Sequence, residues 1–158
     1  MSETKNENEL KVNQFPTLTW NFLHINNSAM HADASLFDTS CALAETELPA
    51  GVSCADGDSE TLCTCGMGAE VDALFDAAKD KIPSSVYTVE SGAKAAVVRL
   101  SYLVEDGDKV LTDVVIKAGA NSESTFIFDT ASEKSAAGFA GFRTQIIAGE
   151  NAVVNIVK

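Results

Sequence analysis

Residues 116–121 read IKAGAN, and residues 146–151, thirty positions later, read IIAGEN. Both copies share the pattern I-x-A-G-x-N, and a strand-like stretch follows each of them. A weaker copy, SGAK, lies upstream at 91–94, with Leu100 where Ile127 and Val157 fall. Glycine reaches positive φ without strain and asparagine tolerates it, so the pattern predicts a strand, a tight turn and another strand.

The segment after Pro83 consists almost entirely of predicted strands. Six stretches rich in Val, Ile, Phe and Thr are separated by Gly, Asn and Asp, at 86–89, 95–104, 110–117, 125–129, 142–147 and 152–157. A β unit that repeats at this interval is typical of solenoids, propellers and arrays. No WD-type blade motif occurs and the segment is too short for a propeller. We therefore predict a mainly β protein with a parallel β-helix, or β-solenoid, over 84–158. The alternative is a pair of ordinary hairpins that share turn chemistry.

The first half of the chain predicts a different organisation. Residues 1–9 are polar and charged, which is typical of a disordered tail, and 10–83 are expected to form a small α+β region. A helix is predicted over about 68–82, with Glu70 and Asp72 in its first turn, Lys79 and Lys81 in its last turn, and Pro83 ending it. The apolar residues that recur at helical spacing are Met67, Val71, Leu74, Phe75, Ala78 and Ile82.

Composition excludes several classes of function. The 158 residues carry 11 basic and 23 acidic side chains, a formal charge of −12. Such a chain is not expected to bind nucleic acid independently of sequence, or to dock on an anionic membrane, because both need clustered cations. No apolar stretch approaches the roughly 20 residues of a membrane-spanning helix. No secretory signal follows Met1, so we expect a cytoplasmic protein with reduced thiols.

Cys63 and Cys65 are the candidate metal ligands. They precede the predicted helix, whose positive end lowers the pKa of a thiol and favours the thiolate that binds zinc or Fe–S clusters. The pair lacks the two-residue spacing of zinc knuckles, and neither Cys41 nor Cys54 completes a known pattern. A metal or cluster site, a redox-active or disulfide pair, and small buried cysteines all remain open interpretations.

No other residues predict a catalytic site. The two histidines, His24 and His31, have no patterned Asp, Glu or Cys beside them, which favours structural or surface roles. The sequence contains no G-x-S-x-G, P-loop, G-x-G-x-x-G or H-E-x-x-H motif. We therefore expect a protein that is not an enzyme.

Residues 19–26 read TWNFLHIN, and this segment is similar to the T-W-N-x-L-x-V-N segment of the SufB/SufD family. Residues 132–152 are similar to its S-x-K-x-A-x-G … T-x-I-x-A-x-x-N-A stretch, and Gly66-Met67-Gly68 also fits. The likeness runs discontinuously from about residue 15 to the C-terminus, and it is greatest to shorter SufD-like bacterial members.

The resemblance implies a right-handed parallel β-helix and a role in iron–sulfur cluster assembly, with an Fe–S cluster or iron as the associated ligand. Family subunits pair with each other or with themselves, and with the ATPase SufC. Family members continue for many more coils, which are followed by a C-terminal helical segment that docks the ATPase. The cysteine, glutamate and histidine implicated in cluster building lie in those later coils. No residue of this chain matches those positions, so the resemblance implies a non-enzymatic scaffold or partner subunit.

Two other functions remain open at this point. One is a redox or metal-binding, enzyme-like domain that uses Cys63 and Cys65, with Cys54 as a candidate third thiol, and the other is a structural β-solenoid interaction module. The sequence stops at Val157-Lys158, inside the last predicted apolar strand, whereas a solenoid needs a polar cap at each end. We therefore expect a homo- or hetero-oligomer formed through the C-terminal strand edge, or a chain cut short.

Overall fold

The structure of the chain is a computed structural model. It describes residues 9–12, 28–31, 43–44, 47–57, 69–78, 80–82, 84–132 and 139–158. Side chains are described at 47–57, 72–78, 80–82, 84–132 and 140–158. Residues 1–8 of the predicted tail lie outside these ranges, whereas Glu9, also assigned to the tail, begins a strand.

The described residues form a mainly β structure with one short helix, as predicted. The strands are β1 (Glu9–Val12), β2 (Ser28–His31), β3 (Leu43–Ala44), β4 (Val52–Gly57), β5 (Ser84–Val89), β6 (Ala96–Val104), β7 (Lys109–Ala118), β8 (Glu123–Ser132), β9 (Phe139–Ala148) and β10 (Val153–Val157). The helix α1 (Ala69–Ala78) lies between β4 and β5. All six strands predicted after Pro83 are present, with slightly different ends.

Strands β5 to β10 alternate between two four-stranded sheets. Sheet I has the order β4-β5-β7-β9 and sheet II the order β3-β6-β8-β10, whereas β1 and β2 pair separately as an antiparallel ribbon. Within each sheet, consecutive strands of this series are parallel. The strands β3 and β4 add to the other edges in the antiparallel direction. Each strand pair (β5–β6, β7–β8, β9–β10) therefore contributes one strand to each sheet.

The two copies of the sequence repeat lie side by side in register. Ile116 of β7 pairs with Ile146 of β9, and the same register continues to the end of both strands. The upstream copy joins the same arrangement, but its predicted alignment was wrong by one residue, because Leu100 pairs with Phe128 rather than Ile127. The difference arises because the turn before β6 contains one residue more than the later turn before β8. The chain accommodates this residue near Ala95, which has a φ of 53°.

The turns between the sheets also stack on one another. Gly149 donates its N–H to the Ala118 carbonyl at 2.8 Å, and Asn121 donates its N–H to the Glu150 carbonyl at 2.8 Å. A Cβ atom on Gly119 would lie 2.5 Å from the backbone nitrogen of the preceding turn. The repeated glycine is therefore needed for close approach of the turns, and the repeated asparagine supplies the positive φ, 57° at Asn121.

The core lies between the two sheets, as alternation along the strands requires. Tyr87 and Phe126 meet across it in an edge-to-face contact with ring centroids 5.7 Å apart. Its other buried members are Val89, Val98, Leu100, Tyr102, Val114, Ile116 and Phe128.

The predicted apolar face of the helix is confirmed where its side chains are described, because Leu74, Phe75 and Ala78 are all buried. Ile82 is buried too, but it lies beyond the end of the helix. The predicted C-terminal end was wrong, because α1 ends at Ala78 and its last turn contains no basic residue. The chain leaves the helix through a turn in which the N–H groups of residues 81 and 82 both donate to the Ala78 carbonyl. Lys81 therefore follows the helix instead of lying in its last turn, and the prediction for Lys79 concerns a residue outside the described ranges.

Candidate interaction surface and buried polar cluster

The two ends of the stacked strands differ. At one end, β3 and β4 cover β6 and β5 in the antiparallel direction. At the other end, β9 and β10 are the last strands of sheets I and II in the described part of the chain. We call this second end, formed by β9, β10 and the turn between them, the open end.

The open end is rich in apolar side chains. Ile146, Ile147, Val153 and Val157 are 45%, 44%, 49% and 48% exposed. Ile146 pairs with fully buried Ile116, so it is exposed because no strand lies beyond it in the described structure. No charged residue interrupts β10, although charges are a common protection of natural edge strands. An unpaired edge of this composition can be extended by a further β-strand.

Charge is distributed unevenly along the chain. Residues 1–83 contain 14 acidic and four basic side chains, whereas 139–158 contain one acidic and two basic side chains. The acidic excess that keeps copies of the chain apart is therefore weakest in the segment that forms the open end.

A buried polar cluster lies near the middle of β7. Asp113 is fully buried and receives two hydrogen bonds from the Arg143 guanidinium, Nε to Oδ1 at 3.0 Å and Nη2 to Oδ2 at 3.1 Å. Ser84 Oγ donates to Oδ2 at 3.2 Å, and Gln145 Nε2 approaches Oδ1 at 3.4 Å. Ser84, Asp113 and Arg143 are register partners on three adjacent strands, so the cluster joins all three parallel strands of sheet I.

The same arginine connects the helix to the sheet. Its guanidinium carbon lies 4.7 Å from the centre of the Phe75 ring, and Nη1 lies 3.7 Å from Asp72 and 3.8 Å from Asp76. A cation shared by an aromatic face and three carboxylates positions α1 on the outer face of sheet I. Because the carboxylate of Asp113 is occupied by donors and buried, the cluster is suited to holding strands together, not to acid–base chemistry.

Sequence reasoning missed this cluster, although a signal for it exists. Asp113 is the single acidic residue in the apolar strand β7, and Arg143 follows it by thirty residues, the interval of the repeat. Combining the repeat interval with the position of lone charges would have paired them.

A shallow groove of about 370 Å³ runs along the outer face of sheet I beside the stacked turns. Thr88, Lys117 and Ile147 form its floor as successive register partners, and Gly119 and Gly149 line its turn side. The groove is open to solvent, and its lining combines the cation of Lys117 and the carboxylate of Glu90 with small and apolar residues.

The predicted metal ligands Cys63 and Cys65 lie outside the described residues, as do Cys41 and His24. His31 lies in β2, and its side chain is not described. Within the described ranges, no three His, Cys, Asp or Glu side chains gather as metal ligands. In that same part of the chain no helix is long and apolar enough to cross a membrane.

Cys54 is the one cysteine with a described side chain, and it is exposed on β4 opposite Tyr87. Burial raises the pKa of the Tyr87 phenol above its ordinary value, and the neighbouring Cys54 thiol raises it further. A tyrosine is already neutral at physiological pH, and the raised pKa extends the neutral range of this phenol further into alkaline pH.

Searches of protein-family models, curated proteins and solved structures with this chain found no match.

Proposed function

We propose that the protein is a non-enzymatic, cytoplasmic scaffold or partner subunit of the SufB/SufD type, which acts in iron–sulfur cluster assembly by joining other protein subunits. In this proposal β5–β10 are coils of a right-handed parallel β-helix. One observation carries it: strands about thirty residues apart pair in parallel and in register, and the chain alternates between two sheets. The segment that resembles the family contains β9 and the turn that follows it.

The chemistry of the described residues supports joining rather than catalysis. The buried carboxylate of Asp113 is used to hold strands, and the open end combines exposed isoleucine and valine with few charges. We propose that a SufB- or SufD-type subunit, or a second copy of this chain, covers that end, with SufC-type ATPase joining through such a subunit. The cluster would be cargo of the assembly, not a resident cofactor of β5–β10.

Co-purification tests this proposal. The tagged chain is co-expressed with a SufB-type subunit and a SufC-type ATPase, and bound protein, iron and sulfide are measured under anaerobic conditions. We expect capture of the SufB-type subunit, and loss of capture in Val153→Lys at the open end. The matched control is Val97→Lys, since Val97 is 52% exposed on β6, away from that end. Failure to capture the SufB-type subunit, or equal loss in both variants, would refute the proposal.

The same preparation tests the alternative in which Cys63 and Cys65 hold a metal. Iron or zinc that disappears in Cys63→Ser/Cys65→Ser, without capture of any Suf subunit, would favour a metal-binding domain over a scaffold.

A further inference from the structure

We draw no further inference here: the strongest candidate, the outer face of sheet II where the apolar side chains of Val97 and Leu103 on β6 are exposed, carries none because nothing in the structure shows what covers it.

Discussion

Replacing Arg143 by methionine tests the role of the buried polar cluster. The variant leaves the carboxylate of Asp113, which is fully buried, without its two guanidinium hydrogen bonds at 3.0 and 3.1 Å. Hydrogen bonds to charged groups contribute about 1.5–3 kcal/mol each, and removing one partner of a buried ion pair costs about 3–5 kcal/mol. Loss of the contact with the Phe75 ring adds about 0.5–1 kcal/mol.

We therefore expect Arg143→Met to lower the free energy of unfolding by about 4 kcal/mol, a large part of the 5–15 kcal/mol typical of a domain. Urea unfolding followed by far-UV circular dichroism measures it, with a constant m-value as the check on two-state behaviour. The double variant Asp113→Val/Arg143→Met removes both charges and should recover at least about 2 kcal/mol of the loss.

If the single variant costs less than about 1 kcal/mol, the guanidinium does not hold the carboxylate as described. If the double variant is no more stable than the single one, the loss comes from packing and not from an unpaired charge. Arg143→Lys, which keeps the charge but not the two-pronged geometry, should fall between the wild type and Arg143→Met.

Three further predictions concern the turns and the core. Gly119→Ala should lower the free energy of unfolding by about 1–3 kcal/mol, because its Cβ would lie 2.5 Å from backbone. The loss should exceed that of Gly92→Ala, whose Cβ would meet nothing within 4 Å although Gly92 has a φ of 78°. Equal losses in urea unfolding would contradict the stacking of the turns. Ser122→Ala should lower the free energy of unfolding by about 1 kcal/mol, because it removes the 2.7 Å hydrogen bond from the Ser122 hydroxyl to the Gly119 carbonyl. Ser124→Ala should be neutral or stabilising, since the buried Ser124 hydroxyl has no partner among the described residues. The reverse order of the two variants would refute this. Burial raises the pKa of Tyr87, so the folded chain keeps a proton that the unfolded chain loses near pH 10. The free energy of unfolding should therefore fall as pH rises above about 10, and Tyr87→Phe should lessen this fall between about pH 9 and pH 11. An unchanged pH profile in the variant would count against this reasoning.

The strands and their parallel pairing could be predicted because turn chemistry repeats at a fixed interval. The two I-x-A-G-x-N copies mark the same place in successive strand pairs, and the structure aligns Ile116 with Ile146. Strand ends were less predictable. The segment predicted as 125–129 extends to Glu123–Ser132, because pairing with β6 continues through polar residues that are poor strand formers.

The buried cluster could not be predicted by composition or local pattern. An aspartate in a strand ordinarily faces solvent, and only the neighbouring strands reveal that Asp113 meets Arg143 and Ser84. The helix end was mispredicted for a related reason. Apolar spacing continues to Ile82, but that side chain is buried from a turn after Ala78 and not from a further helical turn.

Disulfide trapping tests the central claim, the parallel thirty-residue register, most directly. Thr125 and Asn155 are register partners on β8 and β10, with Asn155 Nδ2 3.4 Å from Thr125 Oγ1. With the four natural cysteines replaced by serine, Thr125→Cys/Asn155→Cys should form an intramolecular disulfide readily, since adjacent strands lie about 4.8 Å apart. In the control pair Thr125→Cys/Val157→Cys the second cysteine is two residues out of register, which places the two Cα atoms about 8 Å apart, so this pair should not form a disulfide. Equal crosslinking of both pairs, or crosslinking of the displaced pair alone, would contradict the account.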